Sequence, residues 1–517
     1  MKKIILFLSL CCLIACQDSS THEQADVSPP NILFIMSDDH TSQAWGVYGG
    51  ILDSFIDNPH IRRLRDEGTL LRNAFCTNSI CTPSRATILT GQYSHLNGVY
   101  TLSEALEPET DHVVKHLRRG GYETAIIGKW HLKKRPTGFD YYNVLPGQGR
   151  YNDPILKDSL NWEEGGEVYP GFSSDVIGDL SVQWLEKRNA QQPFFLMTHF
   201  KATHEPFDFP ERYDSMYAGI EIPEPLSLAE FGQRSSGRTF SGQVLEILKE
   251  RYKGNTSGRY PEPYGEAFDL RGLDSLEARR KVYQKFLKDF LRSGKAIDDN
   301  IGKILTWLDE KGLADNTVVI YTADQGYFLG EHGFFDKRMM YEEALRMPFI
   351  IRYPKEISAQ GELTDMVLNI DFASLFLDYA GLETPGWMQG RSFRQNLRGD
   401  TPEDWRSHMY YRYWLHQRQR PSHLGIRTDR YKLIYYYGLP LGLPGTHPER
   451  TAPAWEFYDL QEDPYEDRNA YTDPQYMEVI AKLKQALATQ KSQMEDLDAE
   501  HPEVLSLLEQ EGLIPNN

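Results

Sequence analysis

Asp38 and Asp39 stand side by side directly behind the apolar run Asn31-Ile-Leu-Phe-Ile-Met36 and ahead of His40. One aspartate there would serve as a helix cap, but two in succession suit a hard divalent cation with oxygen ligands, Ca2+ or Mg2+. Cys81 opens a second stretch, Cys-Thr-Pro-Ser-Arg-Ala-Thr-Ile-Leu-Thr-Gly91. Thr82 as a cap, Pro83 in a first turn and Gly91 as a stop predict a short helix with Cys81 just before its positive end, where an anion is stabilised. The same position depresses a thiol pKa, so a reactive thiolate is the alternative chemistry for Cys81.

Three further segments repeat the arrangement of the first. Thr124-Ala-Ile-Ile-Gly128 delivers Lys129 and His131; Pro193-Phe-Phe-Leu-Met-Thr-His-Phe200 precedes Lys201 and His204; Thr317-Val-Val-Ile-Tyr321 ends in Asp324 and Gln325. Continuous apolar runs of this length suit strands of a parallel sheet covered on both faces, and ligands collect at the carboxyl ends of such strands. The four runs therefore predict an α/β fold, a large mostly parallel central sheet flanked by helices, with one site along one edge. Between the third and fourth runs, Glu221 to Gly272 reads as a long insertion rich in Pro, Gly and charge. Leu276 to Leu313 is expected to be helical, with Ile297, Ile301, Ile304 and Leu308 on one face and Gly312 as its stop. Val367 to Ala380 is expected to be a further helix. From about Trp405 short aromatic strands predict a small antiparallel sheet, followed by an amphipathic helix over Gln475 to Ser492.

The stretch from Cys81 matches C-x-P-S-R-x-x-x-L-T-G, and Gly121-Tyr-Glu-Thr-Ala-Ile-Ile-Gly-Lys-Trp-His131 matches G-Y-x-T-x-x-x-G-K-x-H. On these motifs the chain resembles the type I sulfatases of the alkaline-phosphatase superfamily. The resemblance implies that Cys81 is oxidised to formylglycine (3-oxoalanine) by a dedicated maturase and hydrated to a geminal diol. It assigns Arg85, Lys129, His131, His204 and Lys337 to catalysis alongside Cys81. It also assigns one Ca2+ to Asp38, Asp39, Asp324, Gln325 and the modified residue 81. Gln325 departs from the asparagine usual in the family; it keeps the carbonyl oxygen but extends it by one methylene. His95, His332 and Arg412 are expected to line a sugar subsite, since aromatic faces and cations suit sulfated glycans. The function implied is hydrolysis of sulfate esters on a sulfated oligo- or polysaccharide, such as algal ulvan or a glycosaminoglycan. A phosphonate or phosphate ester hydrolase of the same superfamily and a non-catalytic glycan-binding lipoprotein are the alternatives.

A formal charge of -18 argues against nucleic acid as the main partner. Lys2 and Lys3, the apolar Ile4 to Leu10 and Leu13-Ile14-Ala15-Cys16 read as a bacterial lipoprotein signal, with Cys16 lipidated by the lipoprotein-processing machinery. The expected organisation is a signal peptide at 1–15, a lipidated tether at 16–30, a catalytic domain at 31–404 and a C-terminal subdomain at 405–517. The protein is thus expected in the cell envelope, held to a membrane by lipid alone. Cys76, the remaining thiol, is expected to be a small buried side chain rather than a disulfide partner for Cys81.

Overall fold

In the computed structural model, residues 29–229, 243–253 and 268–514 are described. The expected signal peptide, Cys16 and nearly all of the tether lie outside these residues, as do parts of the insertion between Glu221 and Gly272.

Eight segments form the main sheet: β1 (Asn31–Asp38), β2 (Thr69–Leu71), β3 (Glu123–Lys129), β4 (Tyr141–Leu145), β5 (Phe194–Thr203), β6 (Thr317–Ala323), β7 (Phe349–Arg352) and β8 (Gly361–Leu363). Their spatial order is β8-β2-β7-β6-β1-β5-β3-β4, and only β7 runs against its neighbours. The four apolar runs of the sequence are thus β6, β1, β5 and β3, adjacent and parallel, so their carboxyl ends meet along one edge.

Every residue of β1, β5 and β6 is buried because both faces of the sheet are covered. Ile32, Phe34 and Met36 of β1 enter one core, while Leu33 and Ile35 enter the other. The first core is closed by α2 (Cys81–Thr90), α3 (Val113–Arg119) and α6 (Asp371–Tyr379), the second by α1 (Pro59–Asp66), α4 (Ser173–Lys187) and the latter part of α5 (Ser275–Glu310). Ile297, Ile301, Ile304 and Leu308 are buried on the predicted face of α5. Its start is fixed by a capping box in which Asp274 accepts from the Leu276 and Glu277 amides and Glu277 accepts from the Asp274 amide. Gly312, at φ +64°, turns the chain out of it.

Two local expectations are corrected. Val367–Leu368 is not helical but pairs in parallel with Ala74–Phe75, and α6 begins only at Asp371. Asn369 donates its amide to the Phe75 carbonyl and Asp371 accepts from the Leu368 amide, so this backbone satisfies itself across the chain and not along a helix. Residue 81 is the first residue of α2, with Ile80 in the capping position; the Thr82 hydroxyl does not cap but donates to the His131 carbonyl at 3.2 Å.

The C-terminal sheet consists of β9 (His408–Tyr413), β10 (His423–Thr428), β11 (Tyr431–Tyr436) and β12 (Ala454–Asp459), antiparallel in sequence order, with α7 (Met477–Gln493) against it. Tyr411 and Ile434 on one of its faces and Leu424 on the other belong to the same core as Phe34 and Met36 of the main sheet. Among the described residues no helix is long and apolar enough to cross a membrane.

Gly128, one residue before Lys129, has φ +103°, and a Cβ there would lie 2.0 Å from the His199 carbonyl oxygen on β5. Gly128→Ala is therefore expected to lower stability by about 3 kcal/mol or more, from steric overlap plus positive-φ strain, read as a lower urea midpoint.

Candidate active site

The end of β1 and the turns after β1 and β6 carry four of the proposed cation ligands. The Asp39 amide donates to Asp324 Oδ1 at 3.1 Å, tying the two turns together, and Asp39 adopts φ +64°, a conformation aspartate tolerates better than most residues. Asp38, Asp39, Asp324 and Gln325 are all essentially inaccessible to solvent. One ligating atom from each of Asp38, Cys81 and Asp324 lies within 4.8 Å of the others. Helix α2 is pinned above them: the Ser84 hydroxyl donates to the Asp324 carbonyl, and the Asn369 amide donates to Ser84 Oγ at 2.9 Å.

Cations neutralise this acidic floor. Arg85, on α2, reaches Asp324 Oδ2 at 2.9 Å and Asp38 Oδ1 at 3.5 Å, and donates to the Lys129 carbonyl at 2.9 Å. Lys129, at the end of β3, contacts Asp38, while Lys337 places its ammonium 2.5 Å from both Asp39 oxygens. Burial opposes ionisation of Asp38, yet Lys129, His204, Arg85 and Lys337 together hold its carboxyl well below the usual range. Burial prevails at the other two, lifting Asp39 to about 6 and Asp324 to about 7. Lys337, despite burial, is held above the ordinary lysine range, chiefly by Asp39.

These donors fit a hard cation. All the protein atoms besides residue 81 are oxygens, and Gln325 Oε1 is buried with no hydrogen-bond partner among the described residues, while its amide nitrogen donates to Asp39. The extra methylene of glutamine thus leaves its carbonyl oxygen free for a ligand.

Cys81 is buried and free, as is Cys76, whose sulfur lies 3.6 Å from the Ala344 carbonyl. Burial pushes the Cys81 thiol up to about 12, which disfavours a thiolate despite the helix terminus. His131 lies just beyond β3 at φ +56°, with Nδ1 3.5 Å from the Thr82 hydroxyl; burial lowers it to about 2, which keeps it a neutral base. His204 donates from Nδ1 to the Glu205 carbonyl at 2.8 Å, leaving Nε2 inward, 3.7 Å from Asp39 Oδ2. Burial and then Lys129 lower its pKa well below the ordinary value.

Cys81, Arg85, Lys129, His131, His204 and Lys337 are therefore gathered around the carboxylates. The three expected sugar-subsite residues are not. His95 bonds the Met494 carbonyl at 2.6 Å and stacks on Tyr93. Arg412, 2 % exposed, holds Asp496 at 2.7 Å and Asp498 at 2.7 Å and lies over the Trp414 ring at 3.6 Å. His332 is buried among Phe328, Phe334 and Tyr341, and burial lowers it to about 4. All three belong to packing because the aromatic and cationic residues that suit a sugar also suit a core with buried ion pairs.

Other residues at the site carried weaker sequence signals. Gln148 Oε1 accepts from Lys129 at 2.5 Å, and nothing in its Gly-Gln-Gly loop marks it. Lys201 interrupts an apolar strand, which is a signal; burial and then Lys129 lower it to about 8. Tyr411 of β9 accepts from the Ser79 amide at 3.2 Å and donates to the Arg338 carbonyl at 2.8 Å, joining the chain just before Cys81 to the chain just after Lys337. A separate cavity of about 700 Å3, lined by Gln43, Glu224, Glu343 and Arg427 among others, contains none of the predicted site residues.

The Sulfatase family model matches residues 30–382, and that of N-sulphoglucosamine sulphohydrolase, C-terminal, matches residues 330–493. An N-acetylglucosamine-6-O-sulfatase of Bacteroides thetaiotaomicron is 35% identical, covering 97% of this chain and 93% of its own. A ulvan-active sulfatase of Formosa agariphila is 25% identical over 92% of this chain and 85% of its own. A solved structure in complex with its substrate D-glucosamine-2-N,6-O-disulfate is 35% identical with a TM-score of 0.81, over 92% of this chain and 100% of its own.

Arg412→Met leaves the buried Asp496 and Asp498 with Lys491 as their remaining cation and is expected to destabilise the protein by about 2–4 kcal/mol in chemical denaturation, with KM for a sulfated sugar unchanged in the folded fraction.

Proposed function

Because this chain belongs to the sulfatase family and is a sulfuric ester hydrolase, we propose that it removes the 6-O-sulfate of N-acetylglucosamine or glucosamine units in glycosaminoglycan-derived saccharides. The observation that carries the proposal is the convergence of residue 81, three buried carboxylates and Arg85, Lys129 and Lys337 at one sheet edge. Support for the sugar comes from the Bacteroides relative's name and from the glucosamine disulfate bound in the similar solved structure.

Asp38, Asp39, Asp324 and Gln325 would hold one Ca2+, which when bound offsets negative charge on the sulfuryl oxygens. Oxidised by a maturase and hydrated, residue 81 would supply one hydroxyl to attack sulfur as the bond from sulfur to the sugar oxygen breaks, and a second whose deprotonation would restore the aldehyde and expel sulfate. Arg85 and Lys129 orient residue 81 and offset the charge that develops as the nucleophile approaches, an effect that grows in a water-poor site. Lys337, kept protonated chiefly by Asp39, is the donor for the departing sugar oxygen, and His204, whose Nε2 faces the same carboxylate, shares that role only when Nε2 also carries a proton. His131, kept neutral by burial, takes the proton from the second hydroxyl. An ordinary serine at residue 81 would lack that hydroxyl and stall as a sulfated enzyme.

Co-expressed with a maturase, the protein should lose the Cys81 thiol in peptide mass spectrometry, release sulfate from 6-O-sulfated N-acetylglucosamine and release far less phosphate from N-acetylglucosamine 6-phosphate. Cys81→Ala should reduce sulfate release by at least about 10³-fold, in line with loss of a covalent nucleophile, and chelation should abolish turnover until Ca2+ is returned. Equal rates on phosphate esters, or activity indifferent to both chelator and Asp39→Ala, would refute the assignment.

The envelope location is part of the same proposal. Full-length protein in a bacterial host is expected to incorporate palmitate at Cys16, Cys16→Ala to block it, and a chain starting at about Pro29 to stay soluble with full turnover on small sulfated sugars. Membrane partitioning of the truncated chain would overturn the lipid-only anchor.

A further inference from the structure

Lys201 lies where β5 breaks register with β1. Met36 pairs with His199 and Asp38 pairs with Thr203, so a single β1 residue, Ser37, faces three residues of β5, Phe200, Lys201 and Ala202. Irregularities of this kind bend a strand and re-aim a side chain, and they recur beside active sites. Lys201 is 3 % exposed, and its ammonium sits 4.6 Å from the centroid of the Tyr151 ring. Tyr151 is itself fixed: its hydroxyl donates to the His204 carbonyl at 2.5 Å, and its ring stacks on Phe172 at 5.4 Å.

The charges of the site pair off around Lys201 without including it. Asp38 is held by Lys129 and Arg85, Asp39 by Lys337, and Asp324 by Arg85. Among the described residues Lys201 makes no salt bridge and no side-chain hydrogen bond; its contact is the Tyr151 ring, and Asp208 feels its charge without an ion-pair contact. The charged groups that act on it most strongly are Lys129, Asp38, Asp39 and the residue 81 position, all of the active site, and its own charge is felt at Asp208 as well. A buried ammonium left without an anion is costly, and a ring face offsets only part of that cost. Such a group is matched when a permanent anion arrives.

From this bulge, burial and missing partner we infer that Lys201 is an additional sulfate-binding residue, a cation that engages the sulfuryl group of the substrate and the sulfate product. The inference rests on the sulfatase reading of the site. The sulfuryl group is favoured over a second charged substituent on the sugar because Lys201, near the end of β5, precedes by only three residues His204 in the turn that follows. Three residues span about 10 Å at most, on the interior side of the histidine that faces the leaving oxygen.

The test measures sulfate itself. Sodium sulfate is titrated calorimetrically into the calcium-loaded wild type, Lys201→Met, Lys201→Gln and Lys201→Arg, and its inhibition of the matured enzymes is measured alongside. Lys201→Met and Lys201→Gln are expected to weaken sulfate binding and inhibition at least tenfold. Lys201→Arg should retain most of that affinity, and none of the variants should lower the unfolding temperature. Unchanged sulfate affinity in Lys201→Gln overturns the inference. So does a loss of kcat/KM that appears only with doubly sulfated sugars, and so does a fall in unfolding temperature matched by Lys201→Arg. Because calorimetry needs no turnover, a wild type that binds sulfate through Lys201 yet cleaves no sulfated sugar counts against the proposed function and leaves this inference supported.

Discussion

Asp38, Asp39 and Asp324 are buried together at the carboxyl edge of the sheet, and their mutual repulsion is the constraint that the surrounding structure answers. Two like charges about 4 Å apart oppose one another by about 4 kcal/mol at an effective dielectric of 20, and desolvation adds to that. The protein meets this with three cations from three separate elements: Arg85 from α2, Lys129 from β3 and Lys337 from the segment after β6. Compensation is uneven. Asp38, touched by both Lys129 and Arg85, stays far below the usual carboxylate range, whereas burial lifts Asp39 and Asp324 toward neutrality. A divalent cation would complete what the side chains begin, and the unpartnered Gln325 oxygen is consistent with a ligand still to be accommodated.

The sheet edge was legible because it rests on strong local signals. Four continuous apolar runs, each followed at once by polar residues, became the adjacent parallel strands β6, β1, β5 and β3. Two motifs of fixed spacing then identified the helix carrying Cys81 and the strand carrying Lys129. What stayed hidden depends on pairings distant in sequence. Arg412 in an aromatic strand has the composition of a sugar-binding surface, and only Asp496 and Asp498, more than eighty residues later, reveal it as a buried structural cation. His95 was concealed in the same way by the Met494 carbonyl. The Val367 segment was misread because its partner, Ala74–Phe75, lies far upstream and makes it a short strand.

Local signals also explain why the chemistry of Cys81 divided into two readings. A helix terminus favours an anion, and from sequence that effect stands alone. In the fold the thiol is enclosed beside Asp38 and Asp39, and burial outweighs both the helix and the nearby lysines. Ionisation of a cysteine placed to be reactive is thereby disfavoured. This agrees with a residue that acts after its thiol has been replaced, and it shows burial deciding a question that spacing leaves open.

The C-terminal sheet has a part in the site that its sequence texture does not suggest. Tyr411 holds both the Ser79 amide and the Arg338 carbonyl, and the Arg412 amide donates to the Thr77 carbonyl at 3.2 Å. These bonds clamp the approach to Cys81 and the exit from Lys337 onto one edge strand, β9. Arg338 in turn reaches Asp336 at 3.0 Å, and Asp336 also accepts from Arg420 at 2.7 Å, so the loop bearing Lys337 is braced from both sides. Residue 81 and the ammonium of Lys337 come from segments separated by more than two hundred residues, and their relative position is held partly by a strand that contributes no group to the chemistry. The ion pair of Arg412 with Asp496 and Asp498 fixes that strand against the residues after α7. A residue expected to touch sugar therefore bears on the reaction only by keeping β9 in register beneath the two loops it joins.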